Sequence, residues 1–225
     1  MTAGARLVTF LAMRAGAYAA WVLVASVAGS SAARAAASVE ASLSASEELR
    51  LAHGEAVTRP QDLERGDQRY VGGVGYAIVD GSSQEMAEVL TDVNAYRAIL
   101  PHTKEARLVG RDGPDALVEL TQGNLLFDAT FTVRLRREGN GVRFWLDRSL
   151  PHGIEDAWGF FRWQPLAQVK PGTPRVLLSY GVLVDVGPGV VRDLFEDKIQ
   201  WIVLTVPARV QSYVATHVRR APPRA

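Results

Sequence analysis

The chain has 225 residues, of which 25 are Lys or Arg and 24 are Asp or Glu, so its net charge is close to zero. This balance gives no indication of nucleic-acid binding, for which a basic domain is expected. The chain also contains no cysteine. That absence excludes disulfides, thiolate metal sites and the cysteine-linked anchor of a bacterial lipoprotein.

The N-terminus has the layout of a secretory signal peptide. Arg6 and Arg14 come before an uncharged run from Ala15 to Ala33, and Ala33-Arg34-Ala35 has the small-x-small pattern of a cleavage site. We therefore predict a signal peptide over residues 1–35 and an exported protein, either periplasmic or secreted. The alternative is an uncleaved membrane anchor, for which this run is short and rich in Ala, Gly and Ser.

Residues 36–69 are polar and have too few apolar side chains for a core of their own, which predicts an N-terminal extension. Within it, Ser44 and Glu47 have the spacing of a capping box and predict the start of a short helix. Thr58-Arg59-Pro60 predicts the end of that helix, and residues 61–69 are interpreted as a charged linker. The folded domain is predicted to cover residues 70–219, before a disordered tail at residues 220–225.

The domain begins with a predicted strand over Tyr70–Val79. A turn at Asp80-Gly81-Ser82-Ser83 leads into a short helix, and Asp92 is placed to cap a second helix that Pro101 ends. Six more strands are predicted at Ala106–Arg111, Ala116–Gln122, Phe127–Arg137, Val142–Arg148, Ile154–Gln164 and Arg175–Val186.

Two of these strands alternate between apolar and polar residues, which indicates a sheet with one buried and one solvated face. The apolar faces consist of Phe127, Ala129, Phe131, Val133 and Leu135 in one strand, and Val176, Leu178, Tyr180, Val182, Val184 and Val186 in the other.

A long terminal helix is predicted from Pro188 to Val218, because apolar residues recur there at helical spacing. Its apolar side carries Val191, Leu194, Phe195, Ile199, Ile202, Val203 and Val206. Pro207 lacks a backbone donor and predicts a kink, and Arg209 interrupts the apolar side. We expect ligand access near this far end of the helix.

Three blocks of the sequence resemble the START-like, or SRPBCC, superfamily, which includes polyketide cyclase-like and coenzyme Q-binding proteins. The blocks are Leu90–Tyr96 with Ile99-Leu100-Pro101, Trp163–Leu166 with Gly172–Val176 and Tyr180, and Val184–Gly189 leading into the helix. The resemblance covers roughly residues 70–219. It implies an α+β helix-grip fold with β-α-α-β6-α order, in which a curved antiparallel sheet wraps around the long C-terminal helix.

The resemblance also implies a cavity between sheet and helix, and a solid core is the alternative. We predict an apolar wall that binds a lipid, quinone or polyketide, with Phe127, Phe131, Val133, Trp158, Phe160, Tyr180, Val182, Phe195, Ile199 and Ile202 as lining residues. If Asp156 and Arg162 also face inward, they form a paired polar site for a ligand head group. An outward orientation of these two residues, which is slightly favoured, makes them a surface pair.

No hydrolase, nucleotide-binding or metal motif is present, and we predict neither a cofactor nor a metal. His102 and His152 lie in loops, where solvated histidines are the common case. The preferred function is an exported carrier, with a membrane surface as a candidate contact for ligand exchange and the protein partner unknown. The alternatives are a polyketide cyclase or aromatase using Tyr180, Asp156, Arg162 or His152, and an envelope protein-interaction module.

Overall fold

The computed structural model describes residues 42–123, 128–167, 172–188 and 198–218. The predicted signal peptide, Phe127, Phe195 and the C-terminal tail lie outside these ranges. The elements are α1 Ala45–Ala52, β1 Val57–Arg65, β2 Gln68–Asp80, α2 Ser83–Thr91, a 3-10 turn Val93–Ala95, α3 Tyr96–Ile99, β3 Thr103–Asp112, β4 Asp115–Gly123, β5 Asp128–Arg137, β6 Gly141–Leu146, β7 Asp156–Pro165, β8 Arg175–Asp185, α4 Val206–Tyr213 and a π-helical turn Val214–Val218.

The described strands form one antiparallel sheet in the order β1-β2-β8-β7-β6-β5-β4-β3. This is the predicted α+β helix-grip architecture, a curved sheet with a C-terminal helix. We call the face of the sheet that packs against α2, α3 and α4 the inner face, and the opposite face the outer face. In β5 the inner-facing Ala129, Phe131, Val133 and Leu135 are buried, as the alternation predicted.

The interpretation of residues 61–69 as a linker is wrong, because β1 extends through most of them. β1 pairs with β2 from Val57 to Arg65, and the two-residue turn between Arg65 and Gln68 contains Gly66 at a φ of +61°. A Gly-Asp pair at that position is a hairpin signal. The strand is polar because it lies at the edge of the sheet, and an edge strand also tolerates Pro60.

The predicted helix at Ser44 is present as α1, and its capping box with Glu47 is complete. Arg59 of β1 forms a salt bridge with Glu47 at 2.6 Å between Nη2 and Oε2. Hydrogen bonding from Arg59 lowers the pKa of Glu47 to about 2. The N-terminal helix is therefore tied to the edge strand, and deletion of residues 36–69 would remove part of the sheet.

The two short helices after β2 are capped by their own sequence. Ser82 and Glu85 form a second capping box at the start of α2. The Asp92 carboxylate accepts a hydrogen bond from the Asn94 backbone at 2.9 Å, which confirms its predicted capping role. Tyr96 is buried, and its hydroxyl donates to the Leu90 carbonyl at 2.9 Å, so it joins α3 to the end of α2.

The terminal helix is interrupted and not simply kinked. Residues 198–203 are helical, Leu204 and Thr205 form a turn, and α4 begins with Val206 and Pro207. Proline is well tolerated in a first helical turn, where its missing donor has no helical partner. Pro207 then packs directly on β2, where a Cβ added to Gly75 would lie 2.8 Å from Pro207 Cγ.

The outer face of β5 carries arginines that pair with buried acids from neighbouring strands. Arg136 Nε lies 2.6 Å from Asp115 Oδ1, and Arg134 Nε lies 2.9 Å from Asp147 Oδ2. The Arg136 guanidinium holds the pKa of Asp115 below its usual value. These pairs stabilise the face of the sheet opposite to the helices. Among the described helices, none has the length and apolarity that a membrane crossing requires.

The contact between Gly75 and Pro207 yields a stability prediction. Gly75→Ala should lower the free energy of unfolding by about 1 to 3 kcal/mol, because the new methyl group overpacks this contact. Gly110→Ala is the matched control, since its nearest neighbour would be Leu117 Cδ1 at 3.5 Å, an ordinary contact distance. Urea denaturation of both variants measures the difference. Equal stabilities would contradict the close packing of α4 on β2.

Candidate functional site

A cavity of about 430 Å³ lies between the inner face of the sheet and the helical residues 198–203. The strands contribute Leu120, Gln122, Gly123, Ala129, Phe131, Val133, Leu135, Phe144, Ala157, Phe161, Tyr180, Val182 and Val184 to its wall, and Tyr96, Leu100, Pro101, His102, Ile154, Val186, Lys198, Ile199, Ile202 and Val203 complete it. Most of these side chains are aliphatic or aromatic. The solid-core alternative is therefore not what the structure contains.

Three aromatic rings pack together in the middle of this wall. The Phe161 and Tyr180 rings have centroids 4.8 Å apart, and Phe144 is stacked on Tyr180 at 6.2 Å with an angle of 21° between the rings. Phe144 has space to lie there because its cross-strand partner is Gly159. A Cβ at Gly159 would lie 2.5 Å from Phe144 Cζ.

The polar groups of the wall are few, and they fall into two sets. His102 and Lys198 are exposed, which places them at the mouth of the cavity. Tyr96, Gln122 and Tyr180 lie further in. Gln122 Nε2 donates to Thr103 Oγ1 at 2.8 Å, so this amide, like the Tyr96 hydroxyl, already has a partner within the protein.

Tyr180 differs from the other inner polar groups. The residue is 4% exposed, and its ring contacts are with Phe144 and Phe161. Within the part of the chain that the structure describes, no residue forms a hydrogen bond with its hydroxyl. Burial raises the pKa of Tyr180 well above its ordinary value, so the hydroxyl keeps its proton at physiological pH.

The structure places six of the predicted lining residues in the cavity wall. They are Phe131, Val133, Tyr180, Val182, Ile199 and Ile202. Others in the wall were not predicted, among them Leu120, Phe144 and Phe161. Phe161 follows from the face of β7, and Leu120 from its pairing with Phe131. The pairing register supplies that information, and the sequence pattern of a single strand does not contain it.

The prediction for Trp158 and Phe160 is wrong, because both lie on the outer face of β7. Ala157 and Phe161 line the cavity, so the alternating residues between and beside them point the other way. Phe160 packs over Gly181, its cross-strand partner, and Trp158 makes an edge contact with Tyr70 at 6.5 Å between ring centroids.

Asp156 and Arg162 are on the outer face with them and do not form a polar site in the cavity. Asp156 Oδ2 lies 2.6 Å from Arg148 Nη2 and accepts a hydrogen bond from the Tyr70 hydroxyl at 2.7 Å. Arg162 is exposed, with its guanidinium 5.0 Å from the centroid of the Phe160 ring. The outward orientation is therefore the correct one, and Asp156 has a structural role.

The expected access route at the far end of the terminal helix is also wrong. Val206 and Val210 of α4 are fully buried and do not line the cavity. Arg209 reaches the Ala98 carbonyl at 3.5 Å. His152 is exposed, and its Nδ1 lies 2.7 Å from the Ile154 carbonyl oxygen, outside the wall. In the described ranges, no group of His, Asp or Glu side chains has the arrangement of a metal site.

Several solved structures share this architecture. The STAR-related lipid transfer protein fragment from Xanthomonas axonopodis matches with a TM-score of 0.54 and 16% identity, over 72% of this chain and 94% of that one. The Zhui aromatase/cyclase from Streptomyces sp. R1128 matches with a TM-score of 0.47 and 15% identity, over 67% and 98%. A START superfamily protein from Mycobacterium smegmatis matches with 0.47 and 18% identity, over 62% and 96%.

The chain therefore has a START-like fold, as the sequence blocks predicted. No family model matches the chain, and no curated protein matches its sequence. At these low identities the likeness concerns the fold alone, and the use of the cavity has to be argued from its own residues.

The placement of Asp156 leads to a prediction that separates stability from binding. Asp156→Asn should lower the free energy of unfolding by about 1 to 3 kcal/mol, because it removes the charged acceptor of Arg148 and Tyr70. The affinity for an apolar fluorescent probe should not change, since the side chain is on the outer face. Denaturation and probe titration measure the two effects. A selective loss of probe affinity at unchanged stability would contradict the outward orientation.

Proposed function

We propose that this protein is an exported carrier that binds a hydrophobic small molecule in the cavity between sheet and terminal helix. The observation that carries the proposal is the apolar wall around a volume of about 430 Å³. Ligand pockets in proteins typically have volumes of about 300 to 1,000 Å³ and largely apolar walls with a few polar groups. The printed description of the Xanthomonas neighbour, a lipid transfer protein, agrees with this proposal.

Acid–base catalysis receives less support from the same wall. A catalytic site needs titratable groups that converge on the substrate with suitable pKa values. Tyr180 is buried in the wall with a raised pKa, which makes it a poor base, and the described lining residues include no carboxylate. Asp156, Arg162 and His152, the other candidates for a cyclase, lie outside the cavity. We therefore prefer binding to catalysis.

Export belongs to the proposal because of the N-terminal sequence. Residues 1–35 have the charge and apolar pattern of a signal peptide. A carrier in the cell envelope would exchange its ligand with a membrane surface, and the exposed rim around His102 and Lys198 is where we place that contact.

Filling the cavity should abolish binding. Val182→Trp adds a large ring at the inner face of β8 and should weaken the binding of an apolar fluorescent probe at least tenfold. Leu177→Trp, on the outer face of the same strand, is the control and should bind as the wild type does. Titration of the probe measures both, and far-UV circular dichroism checks the fold. Val133→Phe, a smaller addition on β5, provides a second test.

If neither Val182→Trp nor Val133→Phe weakens probe binding in a folded protein, the cavity is not the binding site. If the wild type itself takes up no apolar probe and carries no lipid after purification from its envelope, the carrier function is excluded.

Export has a direct test. The chain expressed with its own N-terminus should yield a mature protein that begins close to Ala36, recovered in the periplasmic or extracellular fraction. Intact-mass measurement of that fraction identifies the first residue. A full-length chain retained in the membrane fraction would support the uncleaved anchor and contradict cleavage near Ala35.

A further inference from the structure

The Tyr180 hydroxyl is a hydrogen-bond donor inside an apolar wall. The residue lies on β8 opposite Phe161 of β7 and Gly75 of β2, well inside the sheet. It is 4% exposed, and no described residue accepts its proton. Buried donors without an acceptor are rare in proteins because they lose their hydrogen bond to water and gain nothing in return. A ligand that fills the cavity is therefore the natural source of the acceptor.

The other polar groups of the wall do not compete for this role. The Tyr96 hydroxyl donates to the Leu90 carbonyl at 2.9 Å, and Gln122 donates to Thr103 Oγ1 at 2.8 Å. His102 and Lys198, the described lining residues that can carry positive charge, are exposed at the mouth. A carboxylate or phosphate deep in the cavity would lack a cation to pair with, and an unpaired buried charge is strongly disfavoured.

The size and shape of the cavity restrict the ligand further. About 430 Å³, at roughly 30 Å³ for each water-sized group, holds about 14 non-hydrogen atoms. That is enough for a small ring system or one short chain, and far too little for a two-chain phospholipid. Phe144, Phe161 and Tyr180 form an aromatic surface beside the hydroxyl, and aromatic rings pack favourably on other rings.

We propose that the preferred ligand is an uncharged, largely planar molecule whose carbonyl oxygen accepts a hydrogen bond from the Tyr180 hydroxyl. This inference rests on the proposed binding function and makes it more specific. It assigns the ligand to the class of aromatic ketones, quinones and related carbonyl compounds, and it excludes fatty-acid anions with an inward head group. Tyr180 acts as the residue that determines specificity.

A pair of probes tests the proposal. Fluorenone and fluorene are planar three-ring molecules close to the size of the cavity, and they differ only in the carbonyl group. Dissociation constants for both are measured with the wild type, Tyr180→Phe and Tyr96→Phe. Tyr96→Phe is the matched control, because it removes a hydroxyl from the same wall whose proton already has an acceptor in the protein.

The wild type should bind fluorenone about fivefold more tightly than Tyr180→Phe does, the usual equilibrium effect of one hydrogen bond. Fluorene should bind Tyr180→Phe at least as tightly as it binds the wild type. Tyr96→Phe should retain the wild-type preference for fluorenone over fluorene. The carbonyl stretching frequency of bound fluorenone should be lower in the wild type than in Tyr180→Phe, which reports the hydrogen bond directly.

The results separate this inference from the function on which it rests. If both probes bind but Tyr180→Phe leaves their affinity ratio and the carbonyl frequency unchanged, the role of Tyr180 is overturned and the binding function stands. If neither probe binds the wild type, both are overturned.

Discussion

The inner face of the sheet is apolar from β2 to β5, and the fold depends on how this face is covered. The cover is divided at Leu204 and Thr205. On one side of that turn, α4 packs in direct contact with β2, with Pro207 against Gly75 and with Val206 and Val210 fully buried. On the other side, residues 198–203 stand over the aromatic part of the sheet and leave a cavity. Tight packing at one end thus supports an open space at the other.

The two faces of the central strands have separate tasks. On the inner face, Gly159 leaves space for the Phe144 ring, so the cavity wall is made of stacked aromatic groups. On the outer face, Arg134 and Arg136 pair with buried aspartates, and Asp156 holds Arg148 and Tyr70. Charged groups therefore stabilise the sheet without entering the cavity. This separation keeps the wall apolar and leaves Tyr180 as its one inner hydroxyl without a partner among the described residues.

Much of the candidate site could be predicted from β5 and β8. Each alternates cleanly between apolar and polar residues, and Phe131, Val133, Tyr180 and Val182 line the cavity as expected. β7 could not be resolved in this way, because both of its faces carry aromatic residues. Its pairing with β6 and β8 decides that Phe161 faces inward and Phe160 outward. β1 was missed because a polar edge strand has no apolar alternation, although the Gly66 turn marks its hairpin.

The sequence by itself determined the order of the elements from β2 onward, the capping of α1 and α2 and the apolar faces of two strands. These features depend on local interactions along the chain, such as capping boxes, turns and alternation. Only the tertiary structure decided the orientation of β7, the break before Pro207 and the single unpartnered hydroxyl in the described wall. These depend on strand register and on packing between residues far apart in sequence, such as Gly75 and Pro207. The terminal helix and the sheet were both predictable, but the space between them is a property of their contact.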